Sequence, residues 1–194
     1  MTNISLLLLA AGSSTRMGQS KQLLKIGDES LLAHSAAIAI ASRLRTIVVL
    51  GANEAEHRKA IASLQVDLVS NTNWKNGMGG SIKAGLKHLL KSTPLTEAVI
   101  VMVCDQPLLR TIHLEKLRTR YESSGKRIIA SLYSGTPGVP ALFHNSLFSE
   151  IMDLPDDVGA KKIFQRHTRD MLTIDFPEGA MDLDTPDDYK NFSA

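Results

Sequence analysis

The chain has one cysteine among its 194 residues, few aromatic residues and little net charge. A lone Cys104 excludes an internal disulfide and a multi-thiolate zinc site, and it is typical of a reducing compartment. We therefore predict a cytoplasmic protein. No apolar run approaches the roughly 20 residues that a membrane-spanning helix needs, so no membrane partner is expected.

The charges are nearly balanced and scattered along the sequence. Lys and Arg number 22 against 20 Asp and Glu, which gives a formal net charge of +2. No basic stripe of the kind that binds nucleic acid is present, so an anionic ligand should be bound locally in a cleft. The histidines lack metal-ligand spacing, and the absence of a Gly-x-Ser-x-Gly elbow argues against acyl transfer by serine.

Strand-like and helix-like segments alternate along the chain. Strands are predicted at residues 4–9, 46–50, 66–69, 98–103, 127–132 and 141–143, and helices at 30–41, 54–64, 81–90, 111–121, 159–166 and 186–192. The alternation predicts a three-layer α/β fold with a mostly parallel central sheet, and the length favours a single domain over residues 1–194. Because ligands bind outside the carboxyl ends of such strands, the loops after Ala10, at 71–80 and at Cys104 should share one edge.

The first predicted strand runs into a loop of small residues with two fixed cations. The loop reads Ala10-Ala11-Gly12-Ser13-Ser14-Thr15-Arg16-Met17-Gly18, and Lys21 follows. Small side chains let backbone N–H groups approach a phosphate, while Arg16 can fork onto two oxygens and Lys21 can add a point charge. The spacing matches neither a Walker A loop nor a G-x-G-x-x-G fingerprint. A glycine that serves only the turn is the alternative.

Three aspartates are candidates for binding a divalent cation. Asp105 directly follows the apolar strand 98–103, and Asp182 and Asp184 would share one face of an extended segment. Mg²⁺ takes one or two carboxylates together with phosphate oxygens and water. The alternatives are that Asp105 forms a turn before a proline and that the other two compensate the dipole of the helix at Pro186.

A second loop of small residues, 73–81, opens a predicted helix. Its N–H groups and the positive end of the helix could face an anion, and Ser81 could either bond a base or ribose or cap the helix. Gly77 to Gly80 could equally form a simple turn. Trp74 is more often a packing residue than a stacking platform for a ligand.

Taken together, these residues resemble the nucleotidyltransferases with a Rossmann-like fold. The resemblance is carried first by the opening segment from Leu9 to Gly18 with Lys21. Five further segments then narrow it to the molybdenum cofactor cytidylyltransferase family: 73–81, Asp105-Gln106-Pro107, 135–140, 157–161 and 182–186. The match runs nearly end to end, in order and at the spacing of the family.

The resemblance implies a reaction and a set of functional residues. The terminal phosphate of molybdopterin would attack the α-phosphate of CTP, with Mg²⁺ as cofactor, to form molybdopterin cytosine dinucleotide and pyrophosphate; a recipient molybdoenzyme is a possible further partner. It assigns catalysis to Arg16, Lys21 and Asp105, and metal binding to Asp105 with Asp182 or Asp184. The nucleotide would contact Ala10, Ala11, Gly12, Ser13, Ser14, Met78 and Ser81, and the pterin substrate would contact Gly138, Pro140, Gly159 and Lys161.

Other functions remain open at this point. The Leu-Ala-Ala-Gly start and the Asp-Gln-Pro segment favour CTP over GTP by resemblance, while Val139 stands where relatives often carry a polar residue. Nucleotidyl transfer to a sugar phosphate or polyol phosphate is the alternative with the same chemistry. A cofactor chaperone without turnover is the alternative of another class, and it could dispense with Lys21 and the metal-binding carboxylates.

Overall fold

The computed structural model describes residues 2–193. Nine strands and seven helices alternate within this range. The strands are β1 (Ile4–Ala10), β2 (Lys25–Ile26), β3 (Glu29–Ser30), β4 (Arg45–Leu50), β5 (Asp67–Ser70), β6 (Ala98–Val103), β7 (Ile128–Tyr133), β8 (Thr136–His144) and β9 (Met171–Asp175). The helices are α1 (Leu31–Ala41), α2 (Glu54–Ala60), α3 (Met78–Ser92), α4 (Thr111–Ser124), α5 (Phe148–Asp153), α6 (Lys161–Arg166) and α7 (Pro186–Ser193).

Seven strands form one sheet in the order β5-β4-β1-β6-β8-β7-β9. β1 pairs in parallel with β4 and with β6, and β8 runs antiparallel to both of its neighbours. The chain moves from β1 outward to β5 and then returns to the other side of β1 with β6. This reversal opens a crevice at the carboxyl ends of β1 and β6, where open α/β sheets bind their ligands.

Helices cover both faces of the sheet, which gives three layers. Alternate residues of β1 point to opposite faces, so Leu6 and Leu8 pack with α1 and α4 while Leu7 packs with α3, α5 and α6. Every residue of β1 and β6 is buried, as expected for strands that are covered on both sides. The predicted fold class is confirmed. None of the helices within residues 2–193 has the length and apolar character needed to cross a bilayer.

Several predicted boundaries were wrong. The helix predicted at 54–64 ends at Ala60, the one predicted at 81–90 begins at Met78, and the one predicted at 159–166 begins at Lys161. The strand predicted at 141–143 is longer than expected, because β8 begins at Thr136, just after a hairpin turn at Ser134 and Gly135. β9 and α5 were not predicted, because β9 is a half-exposed edge strand and α5 spans only six residues.

Candidate active site

Three loops meet at the carboxyl edge of the sheet and enclose a cavity of about 270 Å³, hereafter cavity 1. The loops after β1, before α3 and after β6 were expected to share this edge, and they do. Eight predicted site residues line cavity 1: Ala10, Ala11, Gly12, Ser13, Lys21, Met78, Ser81 and Asp105. Trp74, Lys75 and Gln22 also line it, although the sequence assigned them no binding role.

Lys21 is the electrostatic centre of cavity 1. Its Nζ donates to Asp105 Oδ2 at 2.6 Å and to Asp184 Oδ1 at 2.7 Å, and its side chain is 14% exposed. Burial lowers the pKa of this ammonium, but the two carboxylates outweigh burial and hold the pKa above its ordinary value. Lys21 therefore stays charged across the physiological pH range.

Asp184 is held beside Lys21 by the turn that starts α7. The N–H and Oγ1 of Thr185 donate to Asp188 Oδ2 at 2.8 and 2.7 Å, and Asp188 N donates back to Thr185 Oγ1 at 3.3 Å. Asp184 N donates to the same Asp188 oxygen. The capping box thus serves the site as well as the helix.

Arg16 was predicted to be catalytic, but it does not line cavity 1. Its Nη1 pairs with Asp184 Oδ2 at 3.0 Å, and its side chain is 75% exposed. A surface guanidinium of this kind has freedom to swing toward an incoming anion, since an exposed ion pair holds it weakly. Asp184 therefore links the two predicted cations, Arg16 and Lys21.

A second cavity of about 330 Å³, cavity 2, adjoins the first. Met78, Val103 and Asp105 line both cavities, which places the Asp105 carboxylate at their junction. Asp182 lines cavity 2, and burial together with the charges of Asp184 and Asp105 raises its pKa. Asp182 therefore lines cavity 2, whereas Asp184 lines neither cavity and lies beside Lys21.

The walls of cavity 2 are tied together by Gln106. Its Nε2 donates to the carbonyl oxygens of Val139 and Gly179 at 3.1 and 3.2 Å. Tyr133 completes the wall and packs against Gly138, where an added Cβ would collide with the phenol. No local pattern predicts a role for Tyr133, because its place in the wall depends on the hairpin that pairs β7 with β8.

The residues predicted to bind the pterin lie outside the linings of both cavities. Gly138 supports Tyr133, and Pro140 is buried with its carbonyl bonded to Ser131. Gly159 borders a small apolar space under α3, and Lys161 is exposed. Val139, which the sequence analysis noted as a departure, lines cavity 2 instead.

The glycine-rich start of α3 packs against the segment 155–158. A Cβ on Gly79 would lie 2.8 Å from the Pro155 oxygen and closer still to the Val158 oxygen, and Gly80 N donates to Asp156 O at 3.1 Å. Ser81 does not cap the helix, because the cap position is Gly77. Its Oγ accepts from Asn71 Nδ2 at 3.1 Å and lines cavity 1.

Cys104 takes no part as a nucleophile. It is buried, and burial together with the Asp105 carboxylate raises the pKa of its thiol to about 12. The thiol therefore stays protonated at neutral pH. The site has charged and backbone groups that can hold a polyanion, but its one thiol is inert.

Comparison with known proteins finds a matching family and related chains. Residues 6–171 match the family described as MobA-like NTP transferase domain. The chain is 27% identical over 191 residues to the molybdenum cofactor cytidylyltransferase of Escherichia coli, covering 97% of this chain and 95% of that protein. It is 25% identical over 198 residues to the purine catabolism protein PucB of Bacillus subtilis, covering 93% and 91%.

Solved structures share the architecture. Rv0371c of Mycobacterium tuberculosis in complex with manganese superposes with a TM-score of 0.78 at 26% identity, covering 98% of this chain and 97% of that one. The similarity extends over almost the whole of both chains, so it includes the edge of the sheet at which cavities 1 and 2 lie.

Proposed function

The chain belongs to the family of MobA-like NTP transferase domains, and from that premise we propose that it transfers CMP from CTP to the terminal phosphate of molybdopterin. The products are molybdopterin cytosine dinucleotide and pyrophosphate. The similarity to the cytidylyltransferase of Escherichia coli and the Leu-Ala-Ala-Gly start support the choice of CTP and of molybdopterin.

The observation that carries the proposal is the meeting of two cavities at one carboxylate. Cavity 1 has the phosphate-binding loop and Lys21, and cavity 2 has the Tyr133 wall. Nucleotide in the first and acceptor in the second would bring the α-phosphate and the attacking phosphate together beside Asp105. Such positioning supplies much of the rate in a transfer that needs no covalent catalyst.

The chain's own residues stabilise charge and form no covalent bond with either substrate. An oxygen of the acceptor phosphate forms the new bond to the α-phosphorus, and the bond from that phosphorus to the bridging oxygen of the β-phosphate breaks. The electron pair leaves with pyrophosphate, whose charge Lys21 and Arg16 stabilise. Backbone N–H groups of residues 12–14 hold the triphosphate, and Met78 and Ser81 border the nucleoside.

A divalent cation fits the site as part of a metal–nucleotide complex. Within residues 2–193, no group of three or more His, Cys, Asp or Glu side chains could hold a metal alone. Asp105 and Asp184 nevertheless offer hard carboxylate oxygens to one cation, since Lys21 Nζ bonds both. This donor set suits Mg²⁺ that keeps phosphate and water ligands. When bound, the ion supplies charge neutralisation at the transferring phosphate.

Pyrophosphate release by purified protein with Mg²⁺ and molybdenum cofactor tests the proposal, with CTP, GTP, ATP and UTP compared. We expect release with CTP and none without the cofactor. Release with GTP instead would assign the chain a guanylyl transfer. Cofactor binding without release from any nucleotide would contradict the proposal and favour a chaperone.

A further inference from the structure

One buried amide holds the loop that borders cavity 1. Gln22 is 1% exposed and lies beneath residues 12–20. Its Nε2 donates to the carbonyl oxygens of Gly12 at 2.8 Å and Ala10 at 3.4 Å. Its Oε1 accepts from the hydroxyls of Ser14 at 3.0 Å and Ser20 at 2.9 Å. The amide thus uses both donors and both acceptor positions, and it joins the end of β1 to both ends of the loop.

The directions of these hydrogen bonds follow from the chemistry of the groups. Carbonyl oxygens only accept, so Nε2 must face Ala10 and Gly12 and Oε1 must face the serines. Ser20 gives its proton to Gln22, and its Oγ lies 2.7 Å from Nε2 of His57. His57 therefore donates, which fixes the Nε2–H tautomer. Full burial of this histidine on α2 lowers its pKa and keeps the ring neutral.

Ser14 shows what the network does for the loop. Its hydroxyl donates to Gln22 and accepts from the backbone N–H of Lys21 at 3.0 Å, so the loop itself uses this hydroxyl. Its backbone is in the left-handed region, with φ 56° and ψ 39°, a conformation that residues other than glycine rarely adopt. The bonds to Gln22 and Lys21 compensate for that strain. What the loop can offer a phosphate is its backbone N–H groups, held in a fixed arrangement.

We propose that Gln22 is the positioning residue of the nucleotide site, and that Ser20 and His57 hold its amide in place. The inference rests on the proposed function, because the loop is taken to bind the triphosphate. Gln22 acts through Gly12, Ser14 and Lys21 rather than by touching the reacting atoms. Loss of the amide should therefore weaken nucleotide binding selectively and spare cavity 2, which has none of these contacts.

The test compares Gln22→Met, which keeps the volume and removes every bond, with Ser20→Ala, which removes one. Ser42→Ala is the matched control, since Ser42 is another buried hydroxyl and bonds Ala39 O at the end of α1. Binding of CTP with Mg²⁺ is measured by calorimetry, the KM for molybdenum cofactor by pyrophosphate release, and folding by urea unfolding. We expect Gln22→Met to weaken CTP binding by about tenfold or more, because misplaced groups lose most of their effect.

Under the proposal, Ser20→Ala weakens CTP binding less, and Ser42→Ala leaves it unchanged. The KM of Gln22→Met for molybdenum cofactor stays within about twofold of wild type. A general loss of structure would instead weaken binding of both CTP and molybdenum cofactor. Equal CTP affinity in wild type and Gln22→Met, or equal losses for both substrates, would overturn the inference. Should Gln22→Met fail to fold, Ser20→Ala decides by the same criterion. Wild-type protein that binds none of the four nucleotides would instead overturn the proposed function.

Discussion

Lys21 is the residue on which the proposed chemistry depends most. It lies partly buried between two carboxylates, and no other Lys or Arg of residues 2–193 bonds both Asp105 and Asp184. A cation at this place can release a carboxylate to a metal–nucleotide complex and itself turn to a phosphate oxygen. The charge remains balanced in either arrangement, because the incoming triphosphate brings the anion that the lysine needs.

Lys21→Ala and Asp105→Ala should each lower turnover by about a hundredfold or more, as loss of one group that stabilises developing charge typically does. The measurement is kcat from pyrophosphate release, with circular dichroism to confirm the fold. Arg45→Ala is the control, because Arg45 pairs with Asp67 at the amino end of β4, away from the cavities. Turnover like that of wild type in both site variants would exclude the assigned roles.

At the scale of elements, the junction between α3 and the segment 155–158 shapes the wall that both cavities share. Met78 begins α3 and lines both cavities, and the next residue, Gly79, has no room for a side chain. Close packing here explains Gly77 and Gly79, two of the glycines in the segment 73–81 that was predicted to face an anion. The space for a side chain differs between the neighbouring positions Gly79 and Gly80, so substitutions at the two positions test the packing of this junction.

Gly79→Ala should destabilise the protein by about 1–3 kcal/mol, because the new methyl group would collide with three carbonyl oxygens. Gly80→Ala is the matched variant. A Cβ there would lie 3.5 Å or more from its nearest neighbours, so it should stabilise the helix by up to about 1 kcal/mol. Urea unfolding of both variants measures the difference. Equal effects on the free energy of unfolding would contradict this view of the junction.

The sequence predicted the elements that are apolar on both faces and the loops that follow them. β1 and β6 were recognisable because continuous burial requires continuous apolar residues. The strand predicted at 141–143 lies in β8, but the first half of β8 was missed because its glycine and prolines resemble turn residues, while its pairing depends on other strands. The roles of Gln22 and Tyr133 depend on contacts with other segments, so no local sequence pattern could predict these roles.

At the scale of the whole molecule, buried neutral histidines make stability depend on pH. His113 is bonded to Ser131 and stacks on Phe176 with ring centroids 4.4 Å apart. Burial, reinforced by Lys116, lowers its pKa from 6.5 to about 4. Below pH 6.5 the His113 side chain binds a proton in the unfolded chain but stays neutral in the folded protein. The free energy of unfolding therefore falls as the pH falls toward 4.

Wild-type protein should therefore lose stability between pH 6.5 and 4, with His113 contributing up to about 1.4 kcal/mol per pH unit. His113→Gln keeps a polar group near Ser131 but does not titrate, so its free energy of unfolding should fall less steeply over this range. Urea unfolding at pH 7 and pH 5 gives both slopes. Identical slopes for the two proteins would show that His113 titrates normally.

Nucleotidyl transfer across the junction of the two cavities can be followed through the fate of labelled phosphate from CTP. With molybdenum cofactor and Mg²⁺, label at the α-position should appear in the pterin product, and label at the γ-position should appear in pyrophosphate. Transfer of the γ-label to the acceptor, or no labelled pterin product at all, would contradict the account.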